Sequence, residues 1–214
     1  CFTLIDCTQG VVMAETNETV SLPEPALSGD SSLEKLLSQR RSVREYLDTA
    51  LSSSEVGQLL WAAQGVTHSQ GYRTAPSAGA LYPLELYLLV GHVDGITKGI
   101  YHYHPGHHYL TRVSADDVRK DLVKVALSQS WIEQAPVVIV FTAVYARTQK
   151  KYGKRGKRYV HIEVGHAAEN LFLQSEALGL ATVVVGAFDD DGVTEVMQIP
   201  ADHVPLLLMP VGRK

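Results

Sequence analysis

Residues 136–186 read PVVIVFTAVYARTQKKYGKRGKRYVHIEVGHAAENLFLQSEALGLATVVVG. The opening run of Val, Ile and Phe up to Ala143 suits a strand buried on both faces. A basic segment punctuated by Gly153 and Gly156 follows over residues 147–158. Residues 161–178 place Ile162, Val164, Ala168, Leu171, Phe172 and Leu178 at the spacing of a long helix, with Gly179 as its stop. The alanines and Gly165 on this helix are expected to permit close packing. Residues 181–186 form a second buried strand, so the stretch reads strand, helix, strand.

Working outward, residues 84–90 are strongly strand-like, and turn signals at Val93-Asp94-Gly95 and His104-Pro105-Gly106 flank strands at 99–104 and 109–113. A helix is expected over residues 114–128, a short one over 189–197 and a last strand over 206–211. Toward the N-terminus, Leu33, Leu36 and Leu37 mark one helix. Val56, Leu59, Leu60 and Ala63 mark another, capped by Ser52, Ser53 or Ser54 and ended by Gly65 at the position after its cap. Helices, then antiparallel-type hairpins, then strand-helix-strand imply an α+β fold or a mixed sheet with flanking helices. There is no internal repeat and no second domain.

With 214 residues, 45% hydrophobic and 20% charged, the chain can build one sizeable core or two small ones. A formal net charge of −4 gives no global basic field for nucleic acid, so any anion site must be local. Cysteine occurs only at Cys1 and Cys7, which removes disulfides, zinc-thiolate sites and thiol nucleophiles from the rest of the chain. No apolar run is long enough to span a membrane. Residues 1–31 are expected to be an N-terminal tether, fairly apolar to Ala14 and polar from Glu15 to Ser32 with Pro23 and Pro25 favouring extended backbone, and the folded domain to occupy 32–214. Val12-Met13-Ala14 before Glu15 resembles a signal-peptidase site, while Asp6, Gln9 and the lack of a basic leading region speak against one. A signal-peptide remnant, a lipid-anchored Cys1 and an ordinary N-terminus all stay open, and so does the compartment, cytoplasmic or exported.

Four segments carry candidate chemistry. Arg40-Arg41-Ser42-Val43-Arg44 offers three guanidiniums and a hydroxyl. In extended backbone Arg40, Ser42 and Arg44 share a face and suit a phosphate through charge-assisted hydrogen bonds. A solvated basic patch has the same composition. Arg73-Thr-Ala-Pro-Ser77-Ala-Gly79-Ala-Leu-Tyr82-Pro83 is built of small residues that let backbone approach a flat ligand, though a tight surface loop would look alike. Val185-Gly186-Ala187 ends a strand with amides free for a ring edge. Arg213 and Lys214 put cations after the last strand. Neither a dinucleotide-binding glycine loop nor a Walker motif is present. His102 and His104 share a strand face beside His107 and His108, without acidic or thiol partners nearby in sequence, so a hairpin without metal is expected.

Taken in order, RRSVREY, LLWAAQGV, RTAPSAGALYPLELYLLV, GIYHYHPGHHYL, RTQKKYGKRGKRYVHIEVGHAAENLFLQSEALGLATVVVGAFDD and PLLLMPVGR resemble the nitroreductase superfamily, closest to its SagB/ThcOx-type dehydrogenases. The resemblance runs from Arg40 to Arg213. It implies a mixed, mainly antiparallel sheet flanked by helices, in a homodimer that binds flavin mononucleotide (FMN) at the interface. It assigns Arg40, Ser42 and Arg44, with Arg41 beside them, to the FMN phosphate, and Arg213 to a second phosphate-side cation. Pro76, Ser77, Ala78 and Gly79 would border the flavin of the partner subunit, and Val185, Gly186 and Ala187 would lie near its ring. Many nitroreductases have Asn where this chain has Ala80, so that contact falls to backbone. Lys151-Tyr152 fits the branch's Lys-Tyr pair, associated with dehydrogenation of peptide azolines. A desolvated Lys, or a Tyr activated by the Lys, is a sensible base for the proton that accompanies hydride loss. A solvated basic loop is the bland reading of the same residues. The expected activity is two-electron hydride transfer on a small organic or peptide-derived substrate. The rivals are an NAD(P)H-dependent nitro or quinone reductase, and a flavin- or metal-binding accessory protein without turnover.

Overall fold

The computed structural model describes residues 18–214. The signal-peptide and Cys1-anchor readings lie outside them.

Seven strands form one sheet in the order β1-β6-β5-β3-β7-β9-β8, with every neighbour antiparallel. They are β1 (Thr19–Ser21), β3 (Leu84–Val90), β5 (Gly99–His104), β6 (Tyr109–Ser114), β7 (Val137–Ala143), β8 (Leu180–Thr182) and β9 (Val204–Arg213). A separate pair, β2 (Leu51–Ser52) and β4 (Val93–Asp94), is parallel. The expected mixed character is confined to this pair and to a parallel bridge of Ser42 to Thr182.

Every residue of β7 is buried, as its unbroken apolar run requires. Its alternate side chains feed two cores. Val137, Ile139, Phe141 and Ala143 join Leu84, Leu86, Leu88 and Val90 of β3 on one face. That face packs against α2 (Ser53–Gln64) and α6 (Gly156–Ala177) through Leu59, Leu60, Val164 and Leu171. Val138 and Val140 join Tyr87 and Leu89 on the other, under α3 (Arg119–Val125), α4 (Trp131–Gln134) and α7 (Asp190–Val196). The period-2 pattern of two central strands thus becomes a three-layer domain. α1 (Leu33–Gln39) buries no residue, and its Leu33 and Leu37 remain more than half exposed.

Several expectations are corrected. Part of the expected tether belongs to the domain: β1 pairs with β6 and Leu22 enters the core. The helix expected over 114–128 spans only α3, because the Ser114 hydroxyl and Asp116 form a turn first, and Leu127 and Ser128 end it with φ of 53° and 60°. The basic stretch 147–158 is helical rather than loop. It holds α5 (Tyr145–Tyr152), a short 3-10 turn and the first residues of α6. Gly156 allows this, since a Cβ there would lie 2.9 Å from the Gln149 backbone nitrogen. Gly65 is not a left-handed stop: its φ is −63°, and it is small because a Cβ would collide with the Trp61 ring at 2.0 Å. Gly165, expected to permit close packing, has nothing within 4 Å of where its Cβ would be. Ser52 is the helix cap, in a capping box with Glu55.

Candidate functional site

Topology brings two of the four segments, together with Lys151 and Tyr152, to one end of the sheet. β3 begins just after the Pro76–Gly79 loop, and β7, antiparallel to it, ends there and leads into α5. β7 and β8 both pair antiparallel with β9, so the continuation of β8 through Val185 to Ala187 reaches the same end. Val185 is held by a bridge to Leu208, whereas Gly186 and Ala187 are exposed, and a Cβ on Gly186 would touch only Leu207 at 3.9 Å. The strand thus ends in an open shelf of small residues.

The arginine segment runs along the β8 edge. Arg40 ends α1, and the Val43 amide donates to the Thr182 carbonyl at 3.0 Å. The Tyr46 hydroxyl lies within hydrogen-bond reach of the Val43 and Pro210 carbonyls, and Leu47 bridges Arg213. The Arg40 guanidinium stacks 4.9 Å from the Phe172 ring, with Nε 4.0 Å from Glu169. Arg44 stands 5.5 Å from the Trp131 ring. These rings belong to elements on opposite faces of the sheet, so the two cations bracket its edge. Ser42 is exposed between them, and no carboxylate lies within 4 Å of Arg44 among the described residues. Arg41 turns back on its own helix, donating to the Ser38 and Arg40 carbonyls. Arg213 is engaged elsewhere: its Nη2 donates to both oxygens of Glu55 at 2.9 and 3.0 Å.

The Pro76–Gly79 loop is tightly wound. Gly79, Ala80 and Tyr82 have φ of 66°, 52° and 45°. Ala80 therefore keeps the left-handed backbone that suits Asn, the residue common there in the resembling family. The Ser77 hydroxyl oxygen accepts from the Tyr82 amide at 2.9 Å. Lys151 and Tyr152, at the end of α5, lie directly on this loop: a Cβ on Gly79 would fall 3.0 Å from Lys151 Nζ and 2.8 Å from Tyr152 Oη. Tyr152 is braced edge-on by Tyr159, with ring centroids 5.0 Å apart. Two segments far apart in sequence are thereby one surface.

Behind the loop lies a buried polar cluster that sequence reasoning missed. Glu163 of α6 is 2% exposed, hydrogen-bonded to Ser77 and near Arg73. Burial pushes its carboxyl up to about 7, against the pull of that hydrogen bond and of Arg73. One of its oxygens, Oε1, has no partner. Arg73 donates to Gln64 Oε1 at 2.8 Å and stacks on Tyr82 at 4.5 Å, and burial lowers its pKa. The signal for Glu163 was its periodicity: it falls on the same helix face as Val160, Val164, Ala167 and Leu171. Pro76, Ser77, Ala78, Tyr159, Ile162, Glu163 and His166 line a cavity of about 260 Å³ beside the loop.

Of the histidines, His102 has an acidic partner after all, Glu85 across the strand pair at 2.8 Å. Although burial alone would raise it, hydrogen bonds from His102 and Arg147 and the Arg147 charge hold the Glu85 carboxyl at about 2. His104 bonds the Thr111 hydroxyl, and His161 bonds Tyr145. His166 is exposed on the rim of the loop cavity. Among the described residues no group of three His, Cys, Asp or Glu side chains is arranged for a metal ion, and no helix is long and apolar enough to cross a membrane.

An antiparallel sheet between helical layers, with cations along one edge and a small-residue shelf and loop at one end, defines an α+β protein. The Nitroreductase family pattern matches residues 37–213, and the chain belongs to that family. It is 49% identical over 182 residues to a nitroreductase-family protein of Methanocaldococcus jannaschii, covering 85% of this chain and 91% of the relative. A solved nitroreductase-fold structure from Ralstonia eutropha superposes with a TM-score of 0.80 at 31% identity, covering 94% of this chain and 91% of the other. The Microcin B17-processing protein McbC of Escherichia coli is 25% identical over 174 residues, which is 79% of this chain and 60% of that longer protein.

Proposed function

We propose that this oxidoreductase of the nitroreductase family is FMN-dependent and dehydrogenates a small organic or peptide-derived substrate in the manner of the SagB/ThcOx type. The observation that carries the reading is the seating of Lys151 and Tyr152 on Gly79. A Lys-Tyr pair in a basic loop would be unremarked; one packed on the loop that borders the flavin by resemblance stands where a proton has to go. The likeness to a microcin-processing protein points the same way.

The residues present fit FMN. Arg44 is free of carboxylates among the described residues, Arg40 has only a 4.0 Å contact, and Ser42 is exposed between them, the donor set a phosphate needs. The open shelf at Gly186 and Ala187 suits a flat ring. Arg213 fits less well, because Glu55 already neutralises it. Its part in the site is to anchor the last strand to α2.

Bound FMN would supply two-electron chemistry by accepting a hydride. The protein's own work is positional. Arg40, Ser42 and Arg44 hold the anionic end, and the tight loop sets the position of Lys151 and Tyr152. Lys151 is exposed rather than desolvated, so the substrate proton falls to Tyr152 Oη with Lys151 Nζ beside it, and two electrons and two hydrogens leave together. The site is completed by a second copy: exposed Leu33 and Leu37 of α1 and half-exposed Ile162 of α6 are the apolar faces a homodimer would cover.

Anaerobic mixing of the flavin-loaded protein with NADH and with NADPH separates this from nitro or quinone reduction. A dehydrogenase is expected to keep its flavin oxidised, and rapid bleaching by either nucleotide would favour the reductase. Lys151→Ala is expected to lower turnover of a dehydrogenated substrate by about 10²–10⁴-fold, the usual weight of general-base catalysis; unchanged turnover would remove the pair's proton-acceptor role.

A further inference from the structure

Residues 134–162 carry seven of the chain's 19 Lys and Arg and none of its 23 Asp and Glu. Six of the seven, Lys150, Lys151, Lys154, Arg155, Lys157 and Arg158, fall within nine residues around the corner where α5 meets α6, and all six are exposed. Arg147, the seventh, is paired with Glu85. None of the six has a carboxylate within 4 Å among the described residues. Their contacts are with tyrosine rings instead: Lys151 over Tyr152 at 5.4 Å, Arg155 over Tyr159 at 5.9 Å and Lys157 over Tyr145 at 5.4 Å.

Only part of this arrangement serves the fold: Lys150 and Lys151 lie in the last turn of α5, where the helix dipole favours cations. Lys157 and Arg158 sit in the first turn of α6, where the helix dipole disfavours cations, and crowded like charges repel. In a chain of net charge −4 the cluster is a local reversal of sign. It is also continuous with the candidate site, because Lys151 and Tyr152 belong to both.

We propose that this corner is the docking surface for an acidic peptide segment of the substrate, which it holds while the reacting residue sits against Gly79 and Tyr152. This rests on the function proposed above and names its substrate class. Six cations ask for several anions at once, more than a single carboxylate or phosphate offers. The interleaved tyrosines supply phenol donors and flat faces for a peptide backbone. A peptide is favoured over a nucleic acid because the function proposed above acts on a small organic or peptide-derived substrate.

The test is fluorescence anisotropy of a fluorescein-labelled hexaglutamate peptide titrated with the full chain, with and without saturating FMN. Saturable binding that weakens steadily with added salt is expected. Lys150→Gln, Lys154→Gln, Lys157→Gln and Arg158→Gln combined should weaken it at least tenfold, with an unchanged circular dichroism spectrum confirming that the variant folds. No saturable binding at low salt would overturn the proposal, as would equal binding by the folded variant. Equally tight binding of a six-nucleotide single-stranded DNA would overturn it too, by showing a surface for any polyanion. Because the peptide readout does not need FMN, a failure of flavin binding and a failure of peptide docking are seen separately.

Discussion

The Cα of Gly79 faces the Tyr152 hydroxyl so closely that a methyl group on it would lie 2.8 Å from that oxygen. Gly79 also has a φ of 66°. Two independent constraints, one conformational and one steric, thus require glycine where the loop meets α5. Gly79→Ala is expected to cost about 1–2 kcal/mol in backbone strain, a fall in Tm of roughly 2–8 °C. It should reduce turnover further than that loss of stability explains, because Lys151 and Tyr152 must shift. Calorimetry and turnover on the same preparation check both.

Glu163 predicts a pH dependence. Its folded pKa is raised to about 7 from the ordinary carboxylate value of 4.5. The unfolded chain therefore gives up this proton first as pH rises, and the group's contribution lowers stability between about 4.5 and 7 and levels off above. Glu163→Gln keeps the shape without the charge. It should be more stable than the parent above pH 7, by about 1–3 kcal/mol, with the gain fading toward pH 4.5. Urea melts across that range would show it, and a constant difference at all pH values would contradict the assignment.

Glu85 behaves oppositely. Its carboxyl, held at about 2, contributes stability above the unfolded value of 4.5 that is lost as pH falls toward 2. Arg147 is one of its two partners and also donates to the Tyr82 carbonyl at 3.1 Å. Arg147→Ala should destabilise the protein by about 1–3 kcal/mol at neutral pH and move the midpoint of acid unfolding upward. An unchanged acid midpoint would show that His102 alone suffices for Glu85.

The strands were the legible part. β3 and β5 have the bounds expected from sequence, because turn residues flank them and their apolar residues match a two-sided core. The start of α6 was not legible: lysines and glycines look like loop, and only the packing of Gly156 on Gln149 makes them helix. The same limit applies to the site. The arginine segment, the small-residue loop and the Lys-Tyr pair can be read singly, but the meeting of the loop with the pair at one end of the sheet, and the run of the arginine segment along the β8 edge, depend on strand pairing. Arg213 could not be assigned from sequence, because its partner Glu55 lies 158 positions away. Glu163 could have been, from a charge at a buried helical position.

FMN binding tests the central claim most directly. Titrating the flavin-free chain with FMN, followed by quenching of flavin fluorescence, should give saturable uptake of about one flavin per chain. Arg40→Ala combined with Arg44→Ala removes two charge-assisted contacts, each worth about 1.5–3 kcal/mol, and should weaken binding roughly 100-fold or more. No saturable uptake by the parent chain, or equal uptake by the folded double variant, would contradict the account.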